Sequence, residues 1–146
     1  ITICGMGGVL IRDILQRGKE KHRLSGNERL ILQPNVGERQ LRQWLFDESY
    51  LIIDEAIIEE NNKVYEIIVA EKGTERPEYS GKELLFGPIL RKEKNAIFMK
   101  KWQHKLEKSE KILASLRQSD QDVAEKIQDV TQEIEWIKEV LDDAGK

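Results

Sequence analysis

The sequence predicts an α/β protein: the second half of a doubly wound sheet, followed by an α-helical hairpin. Three observations carry this. The chain opens on ITICGMGGVLIRDIL, a short apolar run, a glycine-rich turn and an amphipathic segment, which is half of a β-α-β unit. Strand-like and helix-like segments then alternate as far as a closing pair of extended segments. Beyond residue 90 the apolar spacing changes to heptads.

Each element follows from its residues. Ile1 to Cys4 reads as a buried parallel strand, Gly5 to Gly8 as a turn, and Val9, Leu10, Ile11, Ile14 and Leu15 as the apolar face of a helix. After the polar stretch RGKEKHRLSGNE, Leu30 to Leu32 reads as a second buried strand stopped by Pro34. Leu41, Trp44 and Leu45 share one helical face. YLIIDEAIIEENNKVYEIIVAEKG reads as two extended segments joined through Asn61, Asn62 and Lys63, which places an antiparallel strand at the end of the sheet. TERPEYSGKELLFGP, with two prolines and two glycines, reads as the connection to a second module. Met99, Trp102, Leu106, Ser109, Leu113 and Leu116, then Val123, Ile127, Val130, Ile134, Ile137 and Leu141, keep heptad spacing. Ser119, with Asp122 three positions on, reads as the cap of the second helix, and RQSDQ joins the two helices into an antiparallel coiled-coil hairpin. The expected domains are 1–83 and 84–146.

The 146 residues carry a net charge of -3, but the charge is segregated. Residues 1–45 hold eight bases against four acids and 91–111 eight against three, whereas 46–83 and 112–146 are acidic. Such segments can present basic faces to an anionic partner even in an acidic chain. The single Cys4 offers neither a disulfide framework nor a paired-cysteine metal pattern, which favours an intracellular setting. It is expected to be a buried small hydrophobe. No run is long and apolar enough to span a bilayer. His22 and His104 sit in strongly polar stretches and read as solvated.

GMGG stands where doubly wound sheets place their ligand crevice, at the carboxyl end of a parallel strand. Its glycines allow close backbone approach, and the following helix offers free amides. ILQPN ends the next strand at the same edge, so Gln33 and Asn35 should lie beside it, with amide groups suited to the edge of a nucleobase or a polar cofactor. A tight turn without a ligand, and an Asn that supports a turn, are the plainer readings of the two motifs. Both stay open on the residues alone.

The order of strand and GMGG, RLILQPN, LRQWL, KVYEIIVAE, FGPIL and a KW-containing helix resembles the bacterial TrmK family, tRNA (adenine-N1)-methyltransferases acting on adenine 22. The resemblance runs through essentially the whole chain. It implies the C-terminal half of a Rossmann-like class I methyltransferase sheet followed by an α-helical antiparallel coiled-coil domain. The first three strands, with the main S-adenosyl-L-methionine motifs, would lie upstream of Ile1, so the chain alone is expected to be inactive. It further implies that Gly5, Met6, Gly7 and Gly8 hold the target base against the methyl donor, and that Gln33, Pro34 and Asn35 line the neighbouring wall. Tyr65 and Glu66 match the family's YEI segment. The Asp/Asn-Pro-Pro-aromatic motif of many DNA adenine N6-methyltransferases is absent. The implied cofactor is S-adenosyl-L-methionine, with no metal, and the implied partner is tRNA in the cytoplasm. Arg12, Arg17, Lys19, Lys21 and Arg23, and separately Lys100, Lys101, Lys105 and Lys108, are candidates to neutralise its phosphates. The alternatives are a class I methyltransferase with another substrate, and a non-catalytic module whose coiled coil binds a protein or a second copy.

Overall fold

The computed structural model describes residues 1–73, 78–119 and 121–142. It divides into two compact units, Ile1–Glu93 and Lys94–Lys146. The first holds β1 (Thr2–Met6), α1 (Gly8–Glu20), β2 (Leu30–Pro34), α2 (Glu38–Asp47), β3 (Tyr50–Glu60), β4 (Lys63–Lys72), α3 (Gly81–Phe86) and α4 (Leu90–Glu93). The second holds α5 (Ala96–Arg117) and α6 (Ala124–Asp142).

The sheet order is β1-β2-β4-β3. β1 and β2 are parallel, with Ile3 opposite Leu32, and β4 is antiparallel to both its neighbours. The antiparallel strand is therefore inside the sheet, not at its end as expected: β3 passes to the edge and β4 returns between it and β2. Asn61 and Asn62, with φ of 53° and 64°, form the two-residue turn between them, and Lys63 already belongs to β4. Two left-handed residues match the right-handed twist of the flanking strands.

One sheet face carries Leu30, Leu32, Ile68, Ala70 and Ile52, all buried against Ile11 and Leu15 of α1 and Leu41, Trp44 and Leu45 of α2. The Trp44 ring stacks on Tyr50 at 5.8 Å, and its indole N–H donates to Gln16 Oε1 across to α1 at 2.9 Å. The α1 stripe is narrower than its apolar arc: Val9, Leu10 and Ile14, expected on the buried face, are exposed, since only positions in line with Ile11 and Leu15 meet the sheet. Cys4 also departs from expectation. It is exposed, because alternation along β1 turns Ile3 to the core and its neighbour to the opposite face.

The compact units part at Glu93/Lys94, ten residues beyond the expected boundary at 83/84, because α3 and α4 are tied into the sheet through Arg42 and Glu55. Residues 74–77 of the expected connection, and Asp120 of the expected joint between the last two helices, lie outside the described residues. Ser80 caps α3 in a reciprocal capping box with Glu83.

In the second unit Asn95 caps α5, accepting from Phe98 N–H at 2.9 Å. Among the described residues the buried side chains are Trp102, Ser109, Ile134 and Ile137 of the heptad rows, together with Phe98 and Val140 outside them, and the remaining heptad positions are partly buried. Ser119 does not cap α6. Its hydroxyl accepts from Gln121 N–H, while the Ala124 N–H at the helix start donates to Asp122 Oδ1 at 3.4 Å.

Candidate functional site

The site is built where β1 and β2 end together. The strand runs on through Gly5 and Met6 instead of turning at Gly5, and the ladder slips between Cys4 and Met6. Gly5 takes φ of +77° at this slip, a value that strains any other residue. Its amide donates to Gln33 Oε1 at 3.0 Å. The Asn35 amide donates to the Met6 carbonyl at 2.7 Å, and the Gly8 amide to the Val36 carbonyl at 2.6 Å. The two turns are thus clasped through their backbones. A Cβ on Gly8 would lie 2.1 Å from the Gly37 carbonyl oxygen, so only glycine permits this approach.

This closeness changes one expectation: the first amide of α1 is occupied by Val36 and is not free for a ligand. What the site offers instead is side-chain amide and apolar surface. Gln33 Nε2 donates to the Pro34 carbonyl at 3.1 Å and to Asn35 Oδ1 at 3.3 Å. With both ends of its amide engaged, Gln33 orients its neighbour, and exposed Asn35 keeps its Nδ2 group for a ligand. Exposed Met6 and Val36 supply apolar surface beside these groups. A flat ring with a polar edge suits that combination. Gly5, Met6, Gly7, Gly8, Gln33, Pro34 and Asn35 are therefore brought together, as one wall.

Tyr65 and Glu66 point to opposite faces of β4. Tyr65 is half-buried opposite Ile58, and Glu66 is fully buried against Arg42. Arg42 was not legible as special, yet it organises the unit's polar interior. It is completely buried, and its Nη2 donates to Glu66 Oε1 at 2.6 Å. Its Nε donates to Glu55 Oε2 at 2.9 Å, and Nη1 donates to the Leu84 and Leu85 carbonyls. Glu55 Oε1 in turn accepts from the Ile89 and Leu90 amides. Burial pushes the Glu55 carboxyl above its ordinary pKa, although Arg42 and the amides pull it down. Burial also pulls the Arg42 guanidinium down, but its two carboxylates outweigh this and raise it. Gly87, at φ of +94°, sits so close that a Cβ would meet Arg42 Nη2 and Glu55 at 2.7 Å. A charged residue beside Leu41 on the apolar face of α2 was the one sequence signal for this cluster.

The basic candidates separate into two kinds. On α1, Arg12 lies 3.3 Å from Asp13, Lys19 pairs with Glu48 at 2.6 Å and Arg17 is exposed; Lys21 and Arg23, just beyond the helix, are exposed as well. On α5, Lys100, Lys105 and Lys108 are exposed and Lys101 lies 5.0 Å over the Trp102 ring. Among the described residues no group of three or more metal-capable side chains converges, and no helix is long and apolar enough to cross a membrane.

Comparison with known proteins agrees with this architecture. The chain is 45% identical over 148 residues to the tRNA (adenine(22)-N(1))-methyltransferase of Bacillus subtilis (strain 168), covering 97% of this chain and 61% of that protein. The crystal structure of Bacillus subtilis TrmK superposes with a TM-score of 0.87 at 44% identity, over 97% of this chain and 62% of that one. Streptococcus pneumoniae Sp1610 in complex with S-adenosyl-L-methionine gives 0.82 at 45% identity, covering 97% and 59%. M. capricolum TrmK in complex with S-adenosyl-homocysteine gives 0.76 at 25%, covering 97% and 58%. A Streptococcus agalactiae protein of the NADB-Rossmann superfamily gives 0.85 at 40%, covering 97% and 59%, so the sheet with its helices is Rossmann-like. The chain spans about three-fifths of the length of the relatives it matches. With the family profile described as tRNA (adenine(22)-N(1))-methyltransferase matching residues 1–139, the chain belongs to the TrmK family.

Proposed function

We propose that the full-length protein transfers a methyl group from S-adenosyl-L-methionine to N1 of an adenine in tRNA, adenine 22, in the cytoplasm. The observation that carries this is the family match over residues 1–139, which includes both clasped turns. S-adenosyl-L-methionine supplies an electrophilic methyl group. Adenine N1 carries a lone pair, so no proton has to be removed before it attacks, and the protein's task is alignment and exclusion of water. Gly5, Met6, Gly7 and Gly8 form the wall against which the base rests, with Met6 contributing apolar surface. Asn35, held by Gln33, donates toward the polar edge of the ring, and Pro34 closes the corner. Glu66, buried against Arg42, serves the sheet, and Tyr65 stays on the opposite face of β4. None of these residues needs to change protonation state.

The second unit is read as an antiparallel coiled-coil hairpin. The heptad positions on α5 and α6 are all buried or half-buried, and Glu110 and Lys138 approach to 3.8 Å between the helices. Arg12, Arg17 and Lys19 on α1, Lys21 and Arg23 just after it, and Lys100, Lys101, Lys105 and Lys108 on α5 are the phosphate-neutralising candidates.

The test is methyl transfer from labelled donor by the full-length protein to tRNA transcripts carrying adenine or guanine at position 22. Label in the adenine transcript alone, recovered as 1-methyladenine, is the expected result. No label in either transcript, from folded protein, overturns the reading and leaves a coiled-coil interaction module in its place.

A further inference from the structure

Two side-chain amides meet between the clasped turns, and an amide has a direction: its oxygen accepts and its nitrogen donates. For Gln33 the backbone settles that direction at both ends. The Gly5 N–H can only donate, so the Gln33 atom 3.0 Å from it is Oε1. The Pro34 carbonyl can only accept, so the atom 3.1 Å from it is Nε2. Nε2 also donates to the Asn35 side chain at 3.3 Å, so the atom it meets there is Oδ1. Turned the other way, Asn35 would set one donor against another. Hydrogen-bond polarity therefore passes from a backbone amide of β1, through Gln33 of β2, to Asn35, whose exposed side chain presents Nδ2 as a donor.

The main chain on either side holds this arrangement. The Asn35 N–H donates to the Met6 carbonyl at 2.7 Å, and the Val36 carbonyl accepts from Gly8 N–H at 2.6 Å. A donor held at this point constrains what a purine can show to it. Adenine with N1 directed at the methyl donor has three other polar groups: the N6 amine, which donates, and the ring nitrogens N3 and N7, which accept. The amine against Asn35 Nδ2 would place donor against donor and leave each without an acceptor. A ring nitrogen completes the chain.

We propose that Asn35 fixes the orientation of the target adenine by donating to a ring nitrogen, N3 or N7, with the N6 amine turned away, and that Gln33 is the positioning residue that sets this polarity. The inference rests on the adenine reading above and deepens it, by assigning which part of the base lies at QPN.

The test uses the full-length protein and tRNA ligated from synthetic pieces, with adenosine, 3-deazaadenosine, 7-deazaadenosine or purine riboside, which lacks the amine, at position 22. Each is assayed for kcat/KM with wild type and with Asn35→Ala, and the ratio between the two proteins cancels the intrinsic reactivity of each base. With adenosine, Asn35→Ala should lower kcat/KM by about fivefold to tenfold, the worth of one neutral hydrogen bond. That penalty should vanish with the one deaza base that lacks the accepting nitrogen, which tells N3 from N7, and persist with the other and with purine riboside. Asn35→Asp, equal in size but accepting through both oxygens, should be at least as damaging as Asn35→Ala. Gln33→Glu keeps the bond from Gly5 and loses both donated ones, so it should lower kcat with KM nearly unchanged and add little on top of Asn35→Ala. Thermal melts check that each variant is folded. No penalty with adenosine, a penalty that persists with both deaza bases or vanishes with purine riboside, or an Asn35→Asp variant as active as wild type overturns the orientation alone. Wild type that leaves the adenosine tRNA unmethylated overturns the adenine reading and the orientation with it.

Discussion

Replacing Arg42 by Met tests whether the buried ion cluster holds α3 and α4 to the sheet. The substitution removes the donor to two carboxylates, at 2.6 and 2.9 Å, and to the Leu84 and Leu85 carbonyls, while the methionine refills much of the volume. Removing one partner of a buried pair costs about 3–5 kcal/mol, because the remaining charges stay out of water. Here the remainder is two carboxylates, so the cost must depend on pH. Glu55 already has a folded-state pKa above its ordinary value, so its folded form binds protons more readily than its unfolded form, and stability falls as pH rises from about 4.5 through that raised value. Without the guanidinium the Glu55 pKa rises further and the window widens upward. The variant should therefore lose more relative to wild type at pH 8 than at pH 5, by on the order of 1–3 kcal/mol, one unit of pKa being worth about 1.4 kcal/mol. Urea unfolding at the two pH values, extrapolated to water, reads this directly. Adding Glu55→Gln and Glu66→Gln to the Arg42 variant should recover part of the loss. A destabilisation below about 1 kcal/mol, or one equal at both pH values, would refute the account of the cluster.

Gly8→Ala should cost more than about 2 kcal/mol and abolish methyl transfer together, because its Cβ would lie 2.1 Å from a backbone oxygen that cannot move without opening both turns; thermal melts alongside activity check it. Gly87→Ala should unfold α3 and α4 from the sheet, seen as faster amide exchange at Leu90, since φ of +94° and a 2.7 Å contact act together. Gln33→Ala frees Asn35 and the Gly5 amide at little cost in stability, about 1 kcal/mol; kcat of the full-length enzyme should fall with KM for tRNA nearly unchanged, and an unaltered kcat would remove Gln33 from the site. Asn62→Gly should stabilise the hairpin by about 0.5 kcal/mol, since φ of 64° suits glycine better than asparagine, and the unfolding midpoint would report it.

Most of the elements were legible because their signals are local. Leu41, Trp44 and Leu45 recur at helical spacing and are buried as that spacing requires. Asn61 and Asn62 announce a hairpin, because few residues tolerate two successive left-handed conformations. GMGG and QPN could be placed side by side because parallel strands of similar length end at the same edge. The clasp between them was not legible: the bonds from Asn35 to Met6 and from Gly8 to Val36 depend on how two turns approach, which periodicity does not encode. Cys4, Val9, Leu10 and Ile14 failed for a related reason. Apolar character says that a residue prefers burial, but which face meets a neighbouring layer is settled by the layer.

The sequence by itself determined the run of strands and helices apart from α3 and α4, the change to heptad spacing, the family, and the two motifs that end at one edge of the sheet. The tertiary structure decided that β4 lies between β2 and β3, that Glu55 falls on the core face after the slip between Ile52 and Asp54, and that Arg42 bridges it to Glu66. The physical reason is range. Helix, strand and turn preferences arise within a few residues, whereas strand order and the partner of a buried charge arise from residues distant in sequence: Arg42 and Glu66 stand 24 apart. Only when the sheet closes over them does the low-dielectric interior force each charge to find its counter-ion.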